Sequence, residues 1–321
     1  MNVRVATFNL ENLFNRYAFL DGPWGGKGYE NFLMAVGVAS VASRKGDLVA
    51  ESTTTIQRNN TALAIESIDA DIIAVQEIEN IYALRNFNSD YLSNMYETVF
   101  SIDGNDPRAI DVGIMIKRSA DIRITGFRTH IDDPVNPKKP VIRDSRAGFG
   151  YFTENAVFSR DCLEIDLAVG KAEITLLVNH FKAQDRNKSS IERRKAQADR
   201  VSELVDDLRK IKRKPIVLGD LNIDTKQKSY DKSLDALTAG PLLDGMADSK
   251  DLWTHFYDSE NTVSRLDYIL TDPALDVVKT GIFREGLSTK CKQYTGKRFA
   301  TIGPNHTEAS DHCPSFVEIK L

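Results

Sequence analysis

The chain has 321 residues and a net charge of -4 at pH 7, so it lacks the global basic excess that usually accompanies polyanion binding. Its 41% hydrophobic content supports a sizeable buried core, and no apolar run approaches the ~20 residues of a membrane helix. Three widely spaced cysteines, Cys162, Cys291 and Cys313, argue against a disulfide framework and against a CxxC metal site.

In chain order, the first strand is read over residues 3–9, VRVATFN. It starts at once after MNVRVATFNL begins, leaving no room for a signal peptide, so a cytoplasmic protein is expected unless a leader has been removed. Residues 14–55 form a long connection, Gly-rich at DGPWGGKG and apolar at FLMAVGVASVA, which reads as a candidate lid. A helix follows over 56–69, with Ile56, Ala62, Leu63, Ile65 and Ile68 expected on its buried side. Strands are read over 71–77 and 112–117, and a second long loop over 128–150 carries Pro134, Pro137, Pro140, Arg143 and Arg146.

Further strands are read over 157–167 and 172–181, then a helix over 190–213 in which Val201, Leu204, Val205, Leu208 and Ile211 recur at helical spacing. Ser189 and Glu192 stand at the offset of a capping box. The remaining strands are 215–220, 266–271 and 315–321. Several strands are almost wholly apolar, as expected where both faces are covered, which favours stacked sheets with helices outside. Neither a repeat nor a Pro/Ser linker divides the chain, so one domain over 1–321 is expected.

The polar residues of interest stand at or just beyond the C-terminal ends of apolar strands, where ligand sites assemble in α/β sheets. They are Asn9, Glu77, Asn179 with His180, and Asp220 with Asn222. A carboxylate ending an apolar run, as Glu77 does, is costly to desolvate without a partner. His180 and His312, two of five histidines, stand beside strands that carry carboxylates, and Asp267 is available to orient an imidazole. Oxygen donors without thiolates suit Mg²⁺ or Mn²⁺, for which Glu77 with Asn9 or Asp311 would suffice. Such a cation implies a phosphate-ester substrate.

The ordered set FNLENLF, VQEIEN, DVGIMIKR, FSRD, VNHF, GDLN, SRLDYIL and SDHCP resembles the endonuclease/exonuclease/phosphatase superfamily, in flavour its bacterial nuclease-like members. The resemblance implies a four-layer α/β sandwich, two packed mixed β-sheets flanked by helices. It implies metal binding by Asn9, Glu77 and Asp311, and contact of Asp220 and Asn222 with the scissile phosphate, the nucleophilic water or a second metal. Asp267 would orient His312, His180 would contact the phosphate or protonate the leaving group, and Arg160 would contact the phosphate. Asp111 lies near where a carboxylate partner for His180 is expected. Either His312 or Asp220 would activate water.

The function expected is divalent-metal-dependent hydrolysis of nucleic-acid phosphodiester bonds. Lys182, Arg186, Lys188, Arg193, Arg194 and Lys195, with Lys290, Lys292, Lys297 and Arg298, would track a phosphate backbone if they flank the site. The alternatives are a phosphatase or phosphodiesterase acting on an inositol phosphate or sphingomyelin-type ester, and, less favoured, an inactive binding protein. No membrane span and no obligate protein partner are expected.

Overall fold

A computed structural model describes residues 1–14, 16–19, 48–51, 53–106, 108–118, 121–144, 152–185, 187–247, 249 and 251–321. The candidate-lid stretches DGPWGGKG and FLMAVGVASVA lie outside the described residues, as do Arg146 and Arg186.

Two six-stranded mixed sheets stack face to face with helices outside, a four-layer α/β sandwich. The first contains β1 (Asn2–Leu13), β2 (Ile72–Ile78), β3 (Tyr96–Ser101), β4 (Asp111–Lys117), and, from the end of the chain, Asp276–Ile282 and Ser315–Lys320. The second contains β5 (Ile122–Arg128), β6 (Cys162–Val169), β7 (Ala172–His180), β8 (Pro215–Asp220), β9 (Leu243–Asp244) and β10 (Asp267–Thr271). With Asp276–Ile282 as β11 and Ser315–Lys320 as β12, the orders are β11-β12-β1-β2-β4-β3 and β9-β10-β8-β7-β6-β5.

Alternation along each strand assigns its two faces. Val3 and Val5 of β1 and Ile72 and Ala74 of β2 point between the sheets and meet Ile165, Leu176, Val178 and Leu218 from the other side. Ala6 and Phe8, with Ile73 and Val75, point outward under the helices α1 (Thr55–Ile68) and α2 (Ile81–Tyr91). On the opposite outer face Leu177, Val217 and Leu270 are covered by Val201, Leu204, Val205 and Leu208 of α3 (Lys188–Lys210). Strands covered on both faces have no polar side, which is why they read as near-continuous apolar runs.

The helix ends differ from expectation. The capping box forms at α1, where Thr54 Oγ1 accepts from Gln57 N–H at 3.1 Å and Gln57 Oε1 accepts from Thr54 N–H at 3.0 Å. At α3 the cap position is Asn187, and Ser190 Oγ donates back to Asp185 at 2.8 Å, so the helix starts before Ser189 can cap it. Ile56 and Leu63 of α1 face solvent, because Gln57, Asn60 and Thr61 occupy its buried stripe with Ala62, Ala64, Ile65 and Ile68. Ile211, just past the end of α3, is also exposed. The run 157–167 is a strand only from Cys162 onward.

Candidate active site

Three strands of the second sheet bring their polar ends onto one rung. His180 of β7 stands opposite Asp220 of β8, and Asp220 opposite Asp267 of β10. Gly219 makes this possible: its φ of +132° suits glycine, and a Cβ there would overlap the Asn179 carbonyl on the neighbouring strand. Just beyond, Asn222 takes a left-handed φ of +57°, which turns its side chain back over the rung. Its backbone N–H donates to Asp220 Oδ1 at 2.8 Å, and its Nδ2 donates to Asp220 Oδ2 at 3.0 Å and to the Phe181 carbonyl at 3.1 Å.

The first sheet closes on this rung from across the core. Asn9 Nδ2 donates to Asp220 Oδ2 at 3.1 Å and to Glu77 Oε1 at 3.2 Å. Glu77 has a φ of +61°, and the pairing of β2 slips between Gln76 and Ile78. Such a bulge re-aims a side chain: Gln76 faces inward, Ile78 faces the outer core, and Glu77 turns into the cleft. Glu77 Oε2 also accepts from the Asn12 N–H at 3.1 Å.

His312, just ahead of β12, sets its Nδ1 2.8 Å from Asp267 Oδ2. Its Nε2 lies 3.8 Å from Asp220 Oδ2 and 3.9 Å from Asp311 Oδ1. Ser310 fixes the segment, its Oγ donating to the Asn9 carbonyl at 2.8 Å and accepting from the His312 N–H at 3.0 Å. His180 Nε2 lies 3.5 Å from Asp220 Oδ2 and 3.7 Å from Glu77 Oε1. Asn9, Glu77, His180, Asp220, Asn222, Asp267, Asp311 and His312 thus meet in one cleft at the junction of the two sheets.

Two residues sit differently. Arg160 is buried behind the cleft, its Nε 3.0 Å from Asp106 Oδ2 and one terminal nitrogen donating to the Phe181 carbonyl at 3.3 Å. Asp111 does not pair with His180. It lies on the first sheet opposite Ile78 and accepts the Gly104 N–H at 2.7 Å, while His180 Nδ1 has no hydrogen-bond partner among the described residues.

Part of the basic series is committed to the fold, and part pairs at the surface. Arg194 is fully buried, donating to Asp231 at 2.6 Å and to the Ala183 carbonyl at 2.7 Å, and Arg193 donates to the Ala156 and Val157 carbonyls. Lys188 pairs with Glu192, Lys195 with Asp199 and Lys290 with Asp258. Arg298 donates to the Leu287, Cys291 and Tyr294 carbonyls. Arg193, Arg194 and Arg298 are thus withdrawn from the expected track of backbone-binding cations, while Lys188, Lys195, Lys292 and Lys297 stay exposed.

Charge in the cleft is finely opposed. Burial raises Asp220, helped by Asp267 and Glu77 and resisted by His312, to about 7. Burial alone would lower His312, but Asp267 and Asp220 hold it well above the ordinary histidine value, so it is an imidazolium near neutrality. His180 goes the other way: burial and the Arg160 charge hold it well below, hence neutral. Burial also lifts Asp111, to about 8.

Two functional groups escaped the sequence reading. Glu11, two residues past Asn9 in FNLENLF, accepts the Asp311 N–H at 2.9 Å, and burial with the Asp311 and Glu308 charges lifts it to about 9. His255 approaches Asp311 Oδ2 to 3.6 Å with its Nε2. Glu11 was inside a quoted motif and carried a signal; His255 had none, because its hairpin was not foreseen. Asn9 beside Glu77, and Glu11 beside Asp311, offer oxygen donors of the kind a hard divalent cation takes.

The endonuclease/exonuclease/phosphatase family model matches residues 7–312, all but the two ends of the chain. The chain belongs to this family. As a member it is a metal-dependent phosphoric ester hydrolase. Solved structures share the fold at low sequence identity. A family protein from Bacteroides thetaiotaomicron is 18% identical with a TM-score of 0.60, covering 99% of this chain and 95% of that one. A mannosyl-6-phosphatase from the same species is 17% identical with a TM-score of 0.58, covering 99% and 100%. The human Nocturnin catalytic domain with bound sulfate is 15% identical with a TM-score of 0.57, covering 99% and 94%. No curated protein matches the chain in sequence. Among the described residues no helix is long and apolar enough to cross a membrane.

Proposed function

We propose that this phosphoesterase uses Asp220 as the base that activates water for attack on a phosphodiester of nucleic acid. The observation that carries the reading is the Asp220 carboxylate, gripped by Asn9 and Asn222, flanked by His180 and His312, and poised at about 7. As the water oxygen bonds to phosphorus, its proton passes to Asp220 and the ester P–O bond breaks, the leaving oxygen keeping the bonding pair and taking a proton from solvent. His312, held as an imidazolium by Asp267, and neutral His180 donate to the non-bridging oxygens, while Asn222 holds Asp220 in place. Arg160 acts from behind, keeping His180 neutral through its charge. Glu77 with Asn9, Glu11 and Asp311 would hold Mg²⁺ or Mn²⁺, whose chemistry there is to neutralise charge on the phosphoryl group.

One observation favours a second reading. Arg193, Arg194 and Arg298, expected to follow a polynucleotide, are bonded within the fold instead, which suits a short or single phosphate ester. A panel of plasmid DNA, RNA, bis-(p-nitrophenyl) phosphate, sugar phosphates and inositol phosphates, assayed with Mg²⁺ and Mn²⁺, separates the two. Turnover of polynucleotide with rates falling steeply in salt supports the first reading; salt-independent turnover of small monoesters alone supports the second. Near wild-type rates in both Glu77→Ala and His312→Ala would overturn the mechanism.

A further inference from the structure

Outside the Glu77 side of the cleft, the described residues contain a second kind of donor cluster: His255, Asp311 and His312, whose ligand atoms all lie within 4.8 Å of one another. A hairpin, His255–Tyr257 paired with Thr262–Ser264, brings His255 there. Backbone bonds stitch that hairpin to the chain around His312: Phe256 N–H donates to the Asp311 carbonyl at 2.9 Å, and Cys313 N–H to the Thr254 carbonyl at 2.6 Å. The two imidazoles stand 4.8 Å apart, ring centre to ring centre.

Both rings have Nδ1 occupied. His312 Nδ1 lies 2.8 Å from Asp267, and His255 Nδ1 lies 3.3 Å from Ser264 Oγ. An imidazole that gives its Nδ1–H to such a partner presents the Nε2 lone pair to a metal, oriented by that same bond. Both Nε2 atoms face Asp311, at 3.6 Å and 3.9 Å from its two oxygens, too far for hydrogen bonds. Donors about 2.0–2.1 Å from one tetrahedral zinc stand roughly 3.4 Å apart, so the widest spacing here asks about 1.4 Å of closure. Asp311, with 40% of its side chain exposed, leaves the cluster open to solvent.

We propose that His255, Asp311 and His312 form an inhibitory site for a borderline-soft divalent cation such as Zn²⁺. Two imidazoles and one carboxylate suit zinc over magnesium, in contrast to the oxygen donors around Glu77. A zinc ion there occupies His312 Nε2, any proton on that atom passing to solvent, and so withdraws the ring from the phosphate, and it takes Asp311 from the Mg²⁺ donor set. The inhibition rests on the phosphoesterase reading; the binding does not.

The test is calorimetric titration of Zn²⁺ into the full chain held in saturating Mg²⁺, with Co²⁺ X-ray absorption to count imidazole nitrogens. Wild type takes up one zinc with two imidazole ligands. In His255→Ala and His255→Gln the affinity falls at least ~10-fold, the loss expected even for an outer partner, and the control His306→Ala is unchanged. Melting curves without metal establish that each variant is folded. Sub-stoichiometric inhibition by Zn²⁺, each protein normalised to its zinc-free rate, is lost in the His255 variants. Equal zinc affinity in wild type and both His255 variants, or an all-oxygen coordination shell, would overturn the site. Tight two-imidazole binding in a protein without phosphoesterase activity would preserve the site and overturn the function.

Discussion

Asp220 concentrates the chemistry in one side chain, and its pH behaviour is the sharpest consequence. With a folded value of about 7, it is protonated below neutrality and able to accept a proton above it. The rate should climb with rising pH and level off by about 7, a cation at Glu77 drawing the midpoint below that value, and kinetics across pH 5–9 should show that rising limb vanish in Asp220→Asn. The same shift has a cost in stability. The native state binds the Asp220 proton more tightly than the unfolded chain, so stability falls as pH rises from the ordinary carboxylate range of 3.8 to about 7. Above pH 7 the metal-free Asp220→Asn variant should therefore melt higher than wild type, and a lower melting temperature there would refute the burial argument. His312 illustrates how far sequence reasoning reached. Its pairing with Asp267 was readable because SRLDYIL and SDHCP are both short motifs ending or preceding buried strands, and the two side chains meet at 2.8 Å. The expected pairing of Asp111 with His180 does not form, since position beside a strand says nothing of which sheet that strand joins.

At the scale of elements, central and edge strands part company. β1, β2, β4, β6, β7, β8, β10 and β12 were visible as apolar runs because each is covered on both faces or flanked by partners. β3, β5, β9 and β11 were not, and these four are the edges of the two sheets. Edge strands face solvent on one side and carry polar residues, so the period that betrays them is diluted. β5 is held on through ions instead: Arg128 donates to Glu164 at 2.7 Å and to Asp166 at 2.8 Å. Next to it, His130 sits between Asp133 at 3.0 Å and Glu164 at 2.9 Å. Burial opposes its charge, but hydrogen bonds to both carboxylates outweigh that and lift it to about 9. The stability this lends is present in full below pH ~6.5 and is lost as pH rises through about 9. Replacing His130 by Gln should cost about 3 kcal/mol in urea melts at pH 6 and much less at pH 10. Gly219→Ala, which drives a Cβ into the Asn179 carbonyl, should cost at least ~3 kcal/mol.

For the whole molecule, the sandwich explains why so polar a site can exist on so apolar a frame. The two sheets share one core, and only at one end do Asn9, Glu77, His180 and Asp220 replace the inward Val, Ile and Leu. Burial and neighbouring carboxylates disfavour the charged forms of Glu11 and Asp220, and a bound cation offsets that cost. Thermal melts should rise with Mg²⁺ or Mn²⁺, by about 2.7 kcal/mol of stability at a hundredfold excess over Kd, and Glu77→Ala should abolish most of that rise. The net charge of -4, with Arg193, Arg194 and Arg298 bonded within the fold, limits attraction to long polyanions. Of all these consequences, one measurement bears most directly on the account: the Mn²⁺-dependent hydrolysis of bis-(p-nitrophenyl) phosphate by wild type and by Asp220→Asn. A fall in kcat of ~10²–10⁴-fold in a folded variant is the predicted result, and a rate within a few-fold of wild type would contradict Asp220 as the base.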